Sequence, residues 1–244
     1  MNIKWHEIWE KRDANETELN CGDMKRVFLE LKRIAGWDAT GEVLAFEQFH
    51  NQYVEIKNEL EFCASVQKRP VKSVYEVGCG CGANLYLFQA DGVEVGGIDY
   101  SDAEIKIAKR ILNNPIELVC DEAVNLSSEI KYDSVLSNSV FSYFESYDYA
   151  QQVLEAMYRK ADYSIGIIDI HDADMKDAFV EYRKSIIEDY EERYRDLPKF
   201  FYEKTFFLDF ACKHDMSIRF SKPTMEGYWN NDYVFNCFMT KNAV

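Results

Sequence analysis

Glycine stands at every second position in Glu76-Val-Gly78-Cys79-Gly80-Cys81-Gly82, directly after a β-branched run and before an amphipathic stretch. A turn that tight needs residues without a Cβ. It also lets a ligand lie against main-chain N–H groups at the start of a helix. Asp99 follows Gly78 by 21 residues and closes the next apolar run. A carboxylate there can accept both hydroxyls of a ribose. Gly78-x-Gly80-x-x-Ala83 also satisfies a dinucleotide fingerprint. Glu76 points away from that alternative, because a carboxylate two residues before the first glycine disfavours a pyrophosphate and suits an ammonium group. His171 ends the run Tyr163–Ile170, at the carboxyl end of a strand, where ligands of open α/β sheets bind. An imidazole there can take a proton near neutral pH, so His171 is the candidate catalytic base.

The elements that must hold these residues follow from the hydrophobic period. Residues 1–70 read as helical, a cap without strands. Met24, Val27, Phe28, Leu31 and Ile34 form one apolar stripe that Gly36 can stop, Gly41 opens the next stretch, and Phe46, Phe49, Tyr53, Ile56 and Leu60 continue it. After Pro70, strands at Val71–Val77, Val93–Ile98, Ile116–Val119, Tyr132–Ser137 and Tyr163–Ile170 alternate with helices. One of these helices opens on the capping box Ser101-x-x-Glu104. That order predicts an α/β fold with a mostly parallel, Rossmann-like sheet and helices on both faces. One long helix is predicted over Met175–Tyr194, inside an inserted lid spanning about 172–204. A helix over Thr205–His214 and strands at Met216–Phe220 and Tyr233–Thr240 complete seven strands, the last entering antiparallel. The expected division is therefore a helical cap at 1–70 and a main domain at 71–244.

These motifs, in this order, resemble those of the class I S-adenosylmethionine-dependent methyltransferases over roughly residues 70–244. Tyr75–Asn84 resembles the family's first motif, Gly97–Ser101 its second, Val119–Glu122 its third and Tyr132–Phe141 its fourth strand and following loop. The resemblance implies S-adenosylmethionine as cofactor. It implies contacts from Glu76, Gly78, Cys79, Gly80, Gly82, Asn84, Asp99, Tyr100, Asp121, Glu122, Asn138 and Ser139, with Asp99 on the ribose and an acid near Asp121 on the adenine amine. Trp5 and Trp9, one helical turn apart, together with Phe141, Tyr143, Tyr182 and Trp229, are expected to wall the acceptor pocket. Some members of the family bind a divalent metal through acids at these strand ends. Here Ser137, Asn138 and Ser139 stand at the end of strand four, and Cys79 and Cys81 have no further clustered ligands, so no metal is expected.

Composition narrows the partners. With 28 Lys and Arg against 43 Asp and Glu, the formal charge is −15, which repels nucleic acid and anionic membranes. No apolar run has the length of a membrane helix, and residues 1–10 lack a signal peptide's apolar stretch. Seven cysteines in a chain of this length read as reduced thiols. The expectation is a cytoplasmic protein, a monomer or homodimer, that methylates a small molecule, with a hydroxyl oxygen as the favoured acceptor. Aromatics at 15% of the chain suggest a substantially enclosed pocket for a small, partly apolar or ring-bearing acceptor. The alternatives are an NAD-dependent oxidoreductase and a non-catalytic cofactor-binding member of the same fold.

Overall fold

A computed structural model describes residues 3–37, 44–65 and 68–242; Gly41 lies outside the described residues. Seven strands form one sheet in the order β3-β2-β1-β4-β5-β7-β6. They are β1 (Ser73–Val77), β2 (Glu94–Asp99), β3 (Glu117–Cys120), β4 (Tyr132–Asn138), β5 (Ala161–His171), β6 (Met216–Ser221) and β7 (Val234–Lys241). β7 runs antiparallel to both neighbours, and the pairs among β1 to β5 are parallel. The near-continuous burial of β4 and β5 is what helices on both faces demand.

Among the described residues, ten α-helices join and cover the strands: α1 (Ile3–Trp9), α2 (Glu16–Leu19), α3 (Met24–Ile34), α4 (Phe46–Ser65), α5 (Ala83–Ala90), α6 (Asp102–Ile111), α7 (Tyr147–Lys160), α8 (Lys176–Ile186), α9 (Tyr190–Tyr194) and α10 (Lys204–Lys213). On one face α3 to α6 share a core with Val74, Val95, Leu136 and Phe238 of the sheet. On the other, α7 and α10 pack with Val135, Ile165 and Phe235. α4 lies against β5 and β7, and α3 against α5. α3 and α4 thus belong to the sheet's own packing, whereas α1 leans over the strand ends.

The single long helix expected over Met175–Tyr194 is broken. α8 stops at Ile186, and Asp189 adopts φ 55° before α9 begins. The apolar and aromatic spacing continues through the break, so periodicity alone does not register it. The capping box forms only in half. Ser101 Oγ accepts the Glu104 N–H at 3.3 Å, but the Ser101 N–H goes to Asp99 Oδ1 at 2.9 Å, and the Glu104 carboxyl turns toward the glycine loop.

Candidate active site

The glycine loop carries β1 into α5. Gly78 has φ 72°, and a Cβ on it would stand 2.3 Å from Val140 Cγ2; on Gly80, with φ 50°, it would stand 2.3 Å from Glu104 Oε2. Only glycine fits either position. Asp99, at the end of β2, ties this loop down: its Oδ2 accepts the Gly80 N–H at 2.9 Å while Oδ1 accepts that of Ser101. Each oxygen keeps a lone pair for a ligand. Burial raises the Asp99 pKa, and the two backbone N–H groups oppose the rise.

The loop opens onto a cavity. Ten residues expected at a cofactor line it: Glu76, Gly78, Cys79, Gly80, Asn84, Asp99, Tyr100, Asp121, Asn138 and Ser139. Two do not. Gly82 starts α5 and packs near Leu112, and Glu122 accepts the Tyr149 hydroxyl at 2.9 Å. Asp121 lines the cavity from an exposed position while also accepting from the Glu122 N–H and Asn125 Nδ2, which lowers its pKa.

Glu76 is the informative member. Its residue is 2% exposed. Asn84 Nδ2 donates to its Oε1 at 2.6 Å, and Oε2 is buried with no partner. Lys32 of α3, also buried, donates to Asn84 Oδ1 at 3.0 Å. Burial pushes the Glu76 pKa up and that of Lys32 down, while the attraction between the two charges opposes both shifts. A carboxylate and an ammonium in one cavity wall match the two charges of an amino-acid zwitterion. The Tyr100 hydroxyl is likewise buried without a partner. Sequence spacing did not reveal Lys32, because its helical stripe reads as ordinary core.

A second cavity adjoins the first, and Trp9, Ala35, Trp37, Ser139 and Tyr143 line both. Trp5, Trp229 and His171 also line the second. Phe141 does not; it is buried against Phe144 and Tyr202. Tyr182 stands behind the wall, stacked on Trp229 at 5.4 Å. The segment 172–204 hangs over this cavity through α8 and α9. Its returning limb is clipped to the body by Phe200 N–H to Ser142 O and Tyr202 N–H to His171 O, each 2.8 Å. α1 closes the other side, with Trp5 Nε1 donating to Pro198 O at 3.2 Å.

β5 is irregular where it reaches the site. Its register with β7 shifts between Ile167 and Ile170, and Asp169 within that bulge has φ 61°. The Asp169 N–H, lost to the ladder, donates to Asn236 Oδ1. Its carboxylate accepts from Ser139 Oγ at 2.7 Å and the Tyr228 hydroxyl at 2.9 Å. Ser139, at the end of β4, also has φ 60°. The sequence signal for Asp169 was an acid inside an otherwise apolar strand. Two residues on, His171 is buried against Phe179 and Phe201. Its Nδ1 is buried without a partner. Burial first, then the charges of Lys199 and Arg183, hold its pKa well below the ordinary imidazole value, so the ring is neutral at physiological pH.

Residues 75–162 match the family described as a methyltransferase domain. Over those residues the chain is similar to the class I S-adenosylmethionine-dependent methyltransferases. A 77-residue stretch is 30% identical to the malonyl-[acyl-carrier protein] O-methyltransferase of Priestia megaterium, covering 30% of this chain and 28% of that protein. Solved methyltransferase structures share the fold. That of the magnesium protoporphyrin IX methyltransferase of Synechocystis PCC 6803, with S-adenosylhomocysteine bound, has a TM-score of 0.60 at 15% identity, over 86% of this chain and 92% of that one. The plantazolicin methyltransferase BamL, with a substrate analogue and S-adenosylhomocysteine, gives 0.62 at 15% identity over the whole of both chains. An amino pentose methyltransferase from Micromonospora echinaspora, with S-adenosylmethionine bound, gives 0.62 at 10% identity, over 86% and 96%. The first cavity fits S-adenosylmethionine, since Glu76 Oε2 and the Tyr100 hydroxyl are buried polar atoms lacking partners on its wall. Among the described residues, no group of three or more His, Cys, Asp and Glu is arranged to hold a metal ion, and no helix is long and apolar enough to cross a membrane.

Proposed function

We propose that this protein transfers a methyl group from S-adenosylmethionine to an oxygen, a hydroxyl, of a small ring-bearing molecule. The observation that supports this most is the pair of adjoining cavities, one walled by the glycine loop, Glu76 and Asp99, the other by aromatic rings, with Ser139 and Tyr143 in both walls. When bound, the cofactor supplies a methyl group already activated on a sulfonium. Glu76 and Lys32 would hold the two charges of its amino-acid end, and Asp99 would accept from its ribose hydroxyls. The unpartnered Glu76 oxygen weighs against a nicotinamide dinucleotide, whose pyrophosphate it would repel.

The remaining task of the protein is alignment, which alone can supply much of the acceleration. Trp9 and Tyr143 would press the acceptor toward the first cavity, while α1 and the 172–204 segment would keep water out. A hydroxyl must also lose its proton. Neutral His171, with an unpartnered ring nitrogen, lines the acceptor cavity in the form able to take it. Calorimetry with S-adenosylhomocysteine, followed by turnover of methyl-labelled cofactor against a panel of phenols, tests the proposal. Binding and label transfer to oxygen are expected. Binding of NADH with none of S-adenosylhomocysteine would overturn it.

A further inference from the structure

The wall of the second cavity is cationic, although the protein carries −15 overall. Arg12, Arg183, Arg193 and Lys199 line it against the single carboxylate of Asp169. Lys199 sits deep. Its Nζ lies 3.2 Å from the centroid of the Tyr143 ring and 4.9 Å from that of Trp5, and its one hydrogen bond is a 3.3 Å contact to Ser142 Oγ. Arg183 donates to the Tyr194 hydroxyl at 2.9 Å and lies over the rings of Tyr194 and Trp229. Neither cation forms an ion pair with a carboxylate among the described residues. Elsewhere the fully buried Lys160 does have a carboxylate partner, Glu117. Asp169 attracts the Lys199 ammonium without bonding it, since its carboxylate already accepts from Ser139 and Tyr228, and leaving a desolvated ammonium without a direct counter-charge is costly.

We propose that the acceptor carries a carboxylate, which Lys199 and Arg183 bind within the aromatic cavity, so that the enzyme selects ring-bearing monoanions. The proposal rests on the methyl-transfer function above and names its substrate class. With Arg12 and Arg193 the wall carries four cations against the one carboxylate of Asp169, an excess of positive charge that favours an anion. The planar guanidinium fork matches a carboxylate, and the rings of Phe179, Tyr194 and Trp229 fit a flat body beside it. Burial, reinforced by the charges of the same two cations, holds His171 in its neutral form. A bound carboxylate would offset the cations' part of that shift.

The test uses the full chain and two matched pairs of probes, 4-hydroxybenzoate with 4-hydroxybenzamide and 4-hydroxyphenylacetate with its amide, titrated calorimetrically with and without S-adenosylhomocysteine. The carboxylates should bind at least about tenfold more tightly than the amides. Lys199→Met and Arg183→Gln should each weaken carboxylate binding by about tenfold or more, while amide and S-adenosylhomocysteine binding stay within about threefold. Equal binding of carboxylate and amide, no carboxylate binding up to about 10 mM, or a preference that survives in both variants would overturn the proposal. A protein that selects carboxylates but fails to bind S-adenosylhomocysteine would instead overturn the assigned methyl transfer and leave the anion site standing.

Discussion

Single side chains here do two things at once. Asp99 fastens the glycine loop through Gly80 and still offers lone pairs to a ribose. Asp99→Ala should therefore weaken S-adenosylhomocysteine binding by about 1–3 kcal/mol, the scale of lost charge-assisted hydrogen bonds; an unchanged dissociation constant by calorimetry would refute the ribose role. Glu104 shows the cost of burying acids around a ligand. Burial, with the Asp99 charge adding to it, pushes its pKa from 4.5 up to about 8. A carboxyl whose pKa rises on folding stabilises the fold while protonated, fully so below about pH 4.5, and that stabilisation is lost as pH climbs through about 8. Between about pH 5 and 8.5 the wild type should lose stability relative to Glu104→Gln. At about 1.4 kcal/mol per pKa unit the difference is on the order of a few kcal/mol. Denaturant titrations at both pH values measure it, and parallel losses in the two proteins would contradict the assignment.

At the scale of elements, α1 joins parts of the site that are distant in sequence. Ser101 Oγ donates to Trp9 O at 3.4 Å, and the Asp102 N–H donates to Glu10 just beyond the helix at 2.7 Å. The Trp5 ring meets Tyr143 edge-on at 4.8 Å and its Nε1 reaches Pro198. Trp5→Ala removes the half of this clasp that faces the acceptor. It should raise the acceptor KM by about tenfold, on the order of the energy of one buried aromatic contact, with a smaller change in cofactor affinity. Trypsin should also cut faster at Arg193 and Arg195. Equal effects on cofactor and acceptor would show that α1 serves the first cavity instead.

For the molecule as a whole, the sheet was legible because most strands are short apolar runs beside Gly, Pro or Asn, and the alternation with helices leaves few topologies. The first cavity was legible for a related reason: glycines and acids at strand ends have few other uses. The second was less so. Trp5, Trp9 and Tyr143 carry a visible aromatic signature, but Lys199 and Arg183 stand in a segment rich in charge, where a cation reads as solvated. Only the fold brings them under the rings of Tyr143 and Trp229. Lys32 was hidden the other way, as one polar residue beside an apolar stripe, and the break at Asp189 because side-chain spacing carries no record of a left-handed backbone.

Ser139 and Asp169, hydrogen-bonded to each other at the adjoining ends of β4 and β5, both hold left-handed backbone that residues with a Cβ adopt at a cost of roughly 1–2 kcal/mol each. That is a large share of the net stability of a marginally stable fold. The protein therefore forgoes robustness at the very seam between its two cavities. A search for heat-resistant variants alone would drift toward glycine at these two positions and return a sturdier protein with a looser seam.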